Sequence, residues 1–222
     1  MSTITSKGVA NGVIQDDWDK IIEICEAGLA SKFYSIGDFK PLALTEPEVC
    51  TVNMELVAFN AEYYQEGTHL VPASTSWLSK EAINKKASGV STSSYLSDDF
   101  RVALPSNVKN ALKSVQKYWA YPLDGNTDGY EAKVYEAYRS TYKVFSPCVR
   151  DFISTYGTRF STPGSRIKKL VGTNTQVPYR LEDRISATET LGATNFYFAG
   201  ISSVGKYTRS GSTSYLVFGF CI

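Results

Sequence analysis

Imidazole is nearly missing: His69 is the single histidine in 222 residues. No G-x-S-x-G elbow occurs either, so no hydroxyl or thiol is supplied with a neighbouring base by any local motif. The phosphate-cradling patterns G-x-x-x-x-G-K-[ST] and G-x-G-x-x-G are absent, which argues against nucleotide hydrolysis. Four cysteines, at positions 25, 50, 148 and 221, form no C-x-x-C pair, and zinc-binding and dithiol redox motifs drop out with it. Each sits among apolar neighbours, as in Ile24-Cys25 and Phe220-Cys221, and reads as a reduced core thiol of a protein made in cytoplasm. No apolar run approaches the roughly 18 residues needed to span a bilayer, so membrane insertion is not expected. The opening MSTITSKGVANG lacks the apolar stretch and cleavage site of a secretory signal, and export by that route is not expected. A net charge of +1 leaves no global field to gather nucleic acid or an anionic membrane.

What the chain has in quantity is tyrosine and hydroxyl: 15 Tyr beside 11 Phe and 3 Trp, with 25 Ser and 19 Thr. Such a composition resembles a β-rich binding surface more than a hydrolytic centre. The near-neutral charge also hides an asymmetry. Residues 1–111 carry 9 Lys+Arg against 14 Asp+Glu, and residues 112–222 carry 14 against 8. An acidic and a basic half can attract one another or face different neighbouring subunits.

Along the chain, residues 1–15 read as an N-terminal arm and 16–222 as one α+β domain, with no internal repeat and no linker that divides it. Trp18, Ile21, Ile22, Cys25 and Leu29 fall at helical spacing and predict a helix from 16 or 17 to 27, capped by Asp16 and stopped by Gly28. Residues 33–36 and 40–44 around Gly37-Asp38 predict a hairpin. Alternation through Cys50, Val52, Met54, Leu56 and Ala58 predicts a strand over 49–59 with one wet face in its first half. Loops and a short helix at 80–86 follow, then a helix after Ser106 as its cap, a helix over 130–142, extended chain at 141–145, and a further helix at 148–156. From 185 onward short strands and glycine turns are expected, at 195–199, 201–204 and 215–222.

Several patterns bear on chemistry. The stretch Asp124-Gly-Asn126-Thr-Asp128-Gly129 has the opening oxygen spacing of a calcium loop, but Tyr135 stands at position 12 where a bidentate carboxylate is required. An Asx/Gly turn explains it equally well, and no metal or other cofactor is assigned. The adjacent carboxylates Asp98-Asp99 and Glu182-Asp183 are poor catalytic pairs, because neighbours on a strand point to opposite faces. The basic segment 159–169, with Arg166, Lys168 and Lys169, reads as a solvated loop. The carboxy-terminal run from Gly200 to Tyr215 has the make-up of a recognition surface, with rigid aromatics among small hydroxyl residues. Its candidate ligand-binding residues are Tyr207, Arg209 and Tyr215.

Segments in order resemble a domain family of phages and Gram-positive bacteria marked by a tryptophan-led first helix and a W-L-R-S-P-type core strand. Asp17-Trp18-Asp19-Lys-Ile-Ile, Ala27-Gly28-Leu29 and Tyr34-Ser-Ile-Gly37-Asp38 are similar to its opening. Ser88-Gly89-Val90 through Leu104-Pro105 and Val115 resemble its second block, with Val90 where the family has Trp. Tyr142 to Pro147, Tyr179 to Asp183 and Val217 to Ile222 look like its later strands. The resemblance implies a C-type-lectin-like, or formylglycine-generating-enzyme-like, α+β fold: two or more helices flanking small twisted antiparallel sheets. It carries over no catalytic residue. It also implies a bacteriophage virion structural protein, a fibre, decoration or receptor-binding subunit, made in the host cytoplasm and oligomeric in the particle. The expected partners are a host-surface glycan and other virion proteins, and no enzymatic activity is expected. Two alternatives stay open: a carbohydrate-active enzyme using paired carboxylates, and a purely architectural virion subunit.

Overall fold

Asn11-Gly12 is a strong hairpin dipeptide, since both positions tolerate positive φ. The backbone takes that turn, with φ of 52° at Asn11 and 77° at Gly12, and folds β1 (Val9–Ala10) onto β2 (Val13–Ile14). The structure is a computed structural model that describes residues 3–86, 95–122, 135–147, 168–177, 179–184, 196–199, 207–209 and 215–222. In chain order there follow α1 (Trp18–Glu26), α2 (Ala30–Phe33), β3 (Phe39–Ala43), β4 (Thr51–Phe59), β5 (Tyr63–Glu66), β6 (His69–Pro72), β7 (Thr75–Ser79) and β8 (Glu81–Lys86). A π turn (Tyr95–Asp99) and a 3-10 turn (Phe100–Ala103) lead to α3 (Ser106–Ala111). After these come β9 (Val115–Pro122), β10 (Tyr135–Tyr142), β11 (Val144–Phe145), β12 (Lys169–Leu170), β13 (Tyr179–Arg184), β14 (Phe196–Ala199), β15 (Tyr207–Arg209), β16 (Tyr215–Leu216) and β17 (Gly219–Cys221).

The strands form three sheets, ordered β1-β2-β3-β4-β7-β17-β11, β10-β9-β5-β6 and β12-β8-β16-β13-β14-β15. Pairing is mostly antiparallel, with parallel contacts at β2–β3, β8–β12 and β13–β16. The described part is therefore mostly β, in mixed sheets, with three short α-helices.

Helix α1 forms where the spacing predicts it. Trp18, Ile21, Ile24 and Cys25 are its buried face, and Gly28 closes it at φ 68°. Asp17 is the cap, not Asp16: its carboxylate accepts the Lys20 N–H at 2.9 Å. Asp16 turns inward instead. It accepts the Lys7 N–H at 2.8 Å, the Tyr34 hydroxyl at 2.9 Å and the Ser6 hydroxyl. Burial pushes this carboxyl up, but those donors outweigh burial and hold it below the usual carboxylate range. The first residues are tied to the sheet in this way, and β2 pairs with β3 at Val13 and Phe39.

Other expectations are corrected. Residues 81–86 are strand rather than helix, because β8 is bonded on one edge to β12 and on the other to β16. Residues 135–142 are likewise strand. They zip against β9 from Tyr135–Pro122 to Tyr142–Val115, a ladder that suits their Tyr and Thr side chains better than the helix expected there. Phe33 ends α2, so the hairpin expected at 33–44 is absent, and β3 pairs with β2 and β4. Ser106 is the first residue of α3, with Pro105 at the cap position and no side-chain cap. Strand β4 behaves as its alternation predicts: Val52, Met54, Leu56 and Ala58 are buried, while in its second half Glu55 and Val57 are covered as well.

One face of the seven-stranded sheet packs against α1, α3 and the two turns. Trp18 meets Trp77 edge-on at 5.2 Å between centroids, and Phe100 lies 4.5 Å from Phe218. Both indoles find acceptors, Trp18 in the Pro41 carbonyl and Trp77 in the Thr75 hydroxyl, as buried aromatics with polar edges require. A second, smaller cluster of Ala73, Val115, Tyr142, Phe145 and Cys221, with Tyr64 beside it, joins the four-stranded sheet to β11 and β17.

Candidate functional site: a polar cleft beside the first helix

The hairpin of β5 and β6 turns through Gly67-Thr68, with Gly67 at φ 58°. Its register sets Tyr64 opposite Val71 and Glu66 opposite His69. Cross-strand partners share a face, so Tyr64, Glu66, Val71 and His69 share one face of the hairpin. That face looks across a cleft of about 420 Å3 toward the end of α1, a volume within the range of small-ligand pockets. Cys25, Glu26 and Gly28 bound it on the helix side. Asn60, Pro72, Ser74, Lys113 and Ile222 complete the lining.

The floor is Cys25, Ile222, Ser74, Tyr64 and Val71, all buried or half-buried; Glu26, Asn60 and Glu66 are exposed around the rim. Asn60 turns the chain between β4 and β5 at φ 52°, a conformation asparagine accepts more readily than most residues. The site thus has an amide where glycine is the other ready choice. The Lys113 ammonium lies 5.3 Å from the Tyr64 ring centre, within cation–π range. Burial, and secondarily the Glu66 carboxylate, raise the Tyr64 phenol above its ordinary value.

Nucleophilic chemistry has little to use here. Burial pushes the Cys25 thiol up to about 11, so it stays protonated at neutral pH and is inert as a nucleophile. His69 is exposed on β6, an edge strand, and is not part of the cleft lining. Among the described residues, no three His, Cys, Asp or Glu side chains are gathered to hold a metal.

The residues singled out in the carboxy-terminal run do not share one loop. Tyr207 and Arg209 lie on the edge strand β15, in register with Ala199 and Tyr197; their side chains fall outside those described. Tyr215 is half-buried on β16, opposite Lys86 and Tyr179. Strands β13 and β14 intervene between β16 and β15, which puts about 14 Å between the two positions at normal strand spacing. The stretch 124–128 lies outside the described residues, as do the predicted helix at 148–156 and the predicted strand at 201–204. Glu182 and Asp183 fall on β13, with side chains outside those described. Of the cysteines, Cys25 and Cys221 are buried and Cys50 is half-buried, and none of these three is in a disulfide.

Lys168, expected on a solvated loop, is instead fully buried and donates to the Ser79 carbonyl at 2.6 Å. Burial pulls its amine from 10.5 down to about 7, against the pull of the Glu55 and Glu81 carboxylates and with the help of Lys80. Between those values the unfolded chain binds a proton that the folded chain does not. Stability from this group therefore rises with pH across the window from about 7 to 10.5. Relative to Lys168→Met, the native chain is expected to gain up to about 1.4 kcal/mol per pH unit there. Denaturant unfolding of both proteins at pH 6, 7.5 and 9 measures this, and a stability difference that does not move with pH contradicts it.

Set against family models, curated proteins and solved structures, the chain matches none.

Proposed function

We propose that the chain is a structural and binding subunit of a bacteriophage particle, a fibre, decoration or receptor-binding module on a C-type-lectin-like scaffold. The observation that supports this best is an open cleft whose rim is an exposed set of hydrogen-bonding groups around a tyrosine, beside a thiol that is inert at neutral pH. That is an arrangement for recognition rather than turnover. The partner is a host-surface glycan or another virion protein. Proteomics of gradient-purified particles tests the assignment. The chain is expected as a stoichiometric component, and its absence from particles overturns the reading. Release by high salt, with no affinity for host cells, marks the purely architectural form.

A second reading has one specific observation behind it. Glu26 and Glu66 line the same cleft, and two carboxylates across a sugar site are the machinery of glycoside hydrolysis. Both are exposed, whereas a general acid at neutral pH is raised by burial, and binding is therefore preferred. Polysaccharide turnover abolished by either Glu26→Gln or Glu66→Gln reverses that preference.

A further inference from the structure

The lining of the cleft restricts what it holds. A cationic ligand meets Lys113, whose ammonium already occupies the neighbourhood of the Tyr64 ring. An anionic ligand meets Glu26 and Glu66. A ligand without net charge but rich in hydroxyls satisfies all of them: its hydroxyls donate to the two carboxylates and accept from the Asn60 amide and Lys113. Val71 and Ile222 offer apolar surface for the C–H face of a pyranose ring, while the Tyr64 ring is taken up by the Lys113 ammonium over it.

We propose that this cleft is the binding site for a neutral saccharide of one or two rings, with Val71 and Ile222 as its apolar floor, Tyr64 holding the Lys113 ammonium over its ring, and Asn60, Glu26, Glu66 and Lys113 as the hydrogen-bonding rim. The proposal rests on the reading of the chain as a binding subunit and names the site and class of its ligand. Because the attraction is hydrogen-bonded and apolar rather than ionic, affinity is expected to change little with salt.

Titration with neutral disaccharides of hexose and N-acetylhexosamine units, beside their amino-sugar and uronate counterparts, tests it on the full chain. Only the neutral set is expected to bind, with Tyr64→Ala weaker by about tenfold and Tyr64→Phe within about twofold. Tyr64 also packs on the smaller core, so the exposed rim variants Asn60→Ala and Glu66→Ala provide a second reading, each expected to weaken binding by about fivefold. Gln65→Ala, on the opposite face of the same hairpin and outside the cleft lining, is expected to bind as the native chain does. Preference for a charged sugar, binding of no sugar, or rim variants with native affinity each overturn the proposal. Particle proteomics is read separately. Failure of the sugar titration with the chain present in particles removes the saccharide site alone, and absence from particles removes the virion assignment alone.

Discussion

Gly219→Ala is expected to cost about 3 kcal/mol, near the upper end for overpacking a core. A Cβ at this position lies 2.6 Å from Cε2 of Phe145 and 2.7 Å from the backbone oxygen of Trp77. The ring can turn only within a packed cluster, because Phe145 is buried against Val115, Tyr142 and Cys221. The oxygen has less freedom still. Trp77 pairs with Phe220 and Gly219 with Leu78, so moving it opens the ladder between β7 and β17. At this chain length a loss of 3 kcal/mol lowers the melting temperature by about 6–12 °C. Phe145→Leu in the Gly219→Ala background is expected to recover only part of the loss, since the clash with the backbone oxygen persists. A melting temperature for Gly219→Ala within about 2 °C of the native value contradicts the close approach.

What was legible in the sequence was whatever a single element decides. Helix α1 carries its own signal in the spacing of Trp18, Ile21 and Cys25 and the stop at Gly28, and β4 carries its own in alternation. Asn11-Gly12 held a comparable hairpin signal within the segment read as an arm. Strands β8 and β10 were not legible, because their state is set by partners distant in sequence: β8 lies between β12 and β16, and β10 is zipped to β9. The helix expected at 130–142 gives way over 135–142, where the ladder to β9 sets the state.

The cleft was illegible for a related reason. Six of its eleven lining residues fall within 60–74, but the other five come from the end of α1, the segment after α3 and the residue after β17, and the hairpin sequence alone does not announce them. Lys168 shows the opposite error. Beside Arg166 and Lys169 it reads as one more solvated charge, yet β12 enters the sheet at the next residue and draws this side chain under Ser79. Composition suggested the kind of surface, hydroxyl-rich and aromatic. Topology selects which tyrosine stands over an open cleft.

The largest effect is expected at the buried pair of Lys117 and Glu62. The ammonium and carboxylate are 2.8 Å apart with both side chains 1% exposed, and the same ammonium sits 4.4 Å from the centre of the Phe145 ring. Removing one charge leaves the other in a site from which water is excluded, and such removals cost about 3–5 kcal/mol. Lys117→Met is therefore expected to destabilise by that amount, with Glu62→Leu similar. The double variant Lys117→Met/Glu62→Leu behaves differently, because neither charge then needs compensation and a methionine beside an aromatic ring keeps a favourable contact. Its stability is expected within about 1–2 kcal/mol of the native chain. Denaturant unfolding of all four proteins at one pH closes the cycle. A double variant that simply adds the two single losses means the charges act independently, and the seam between the four-stranded sheet and β11 is then not held by this pair.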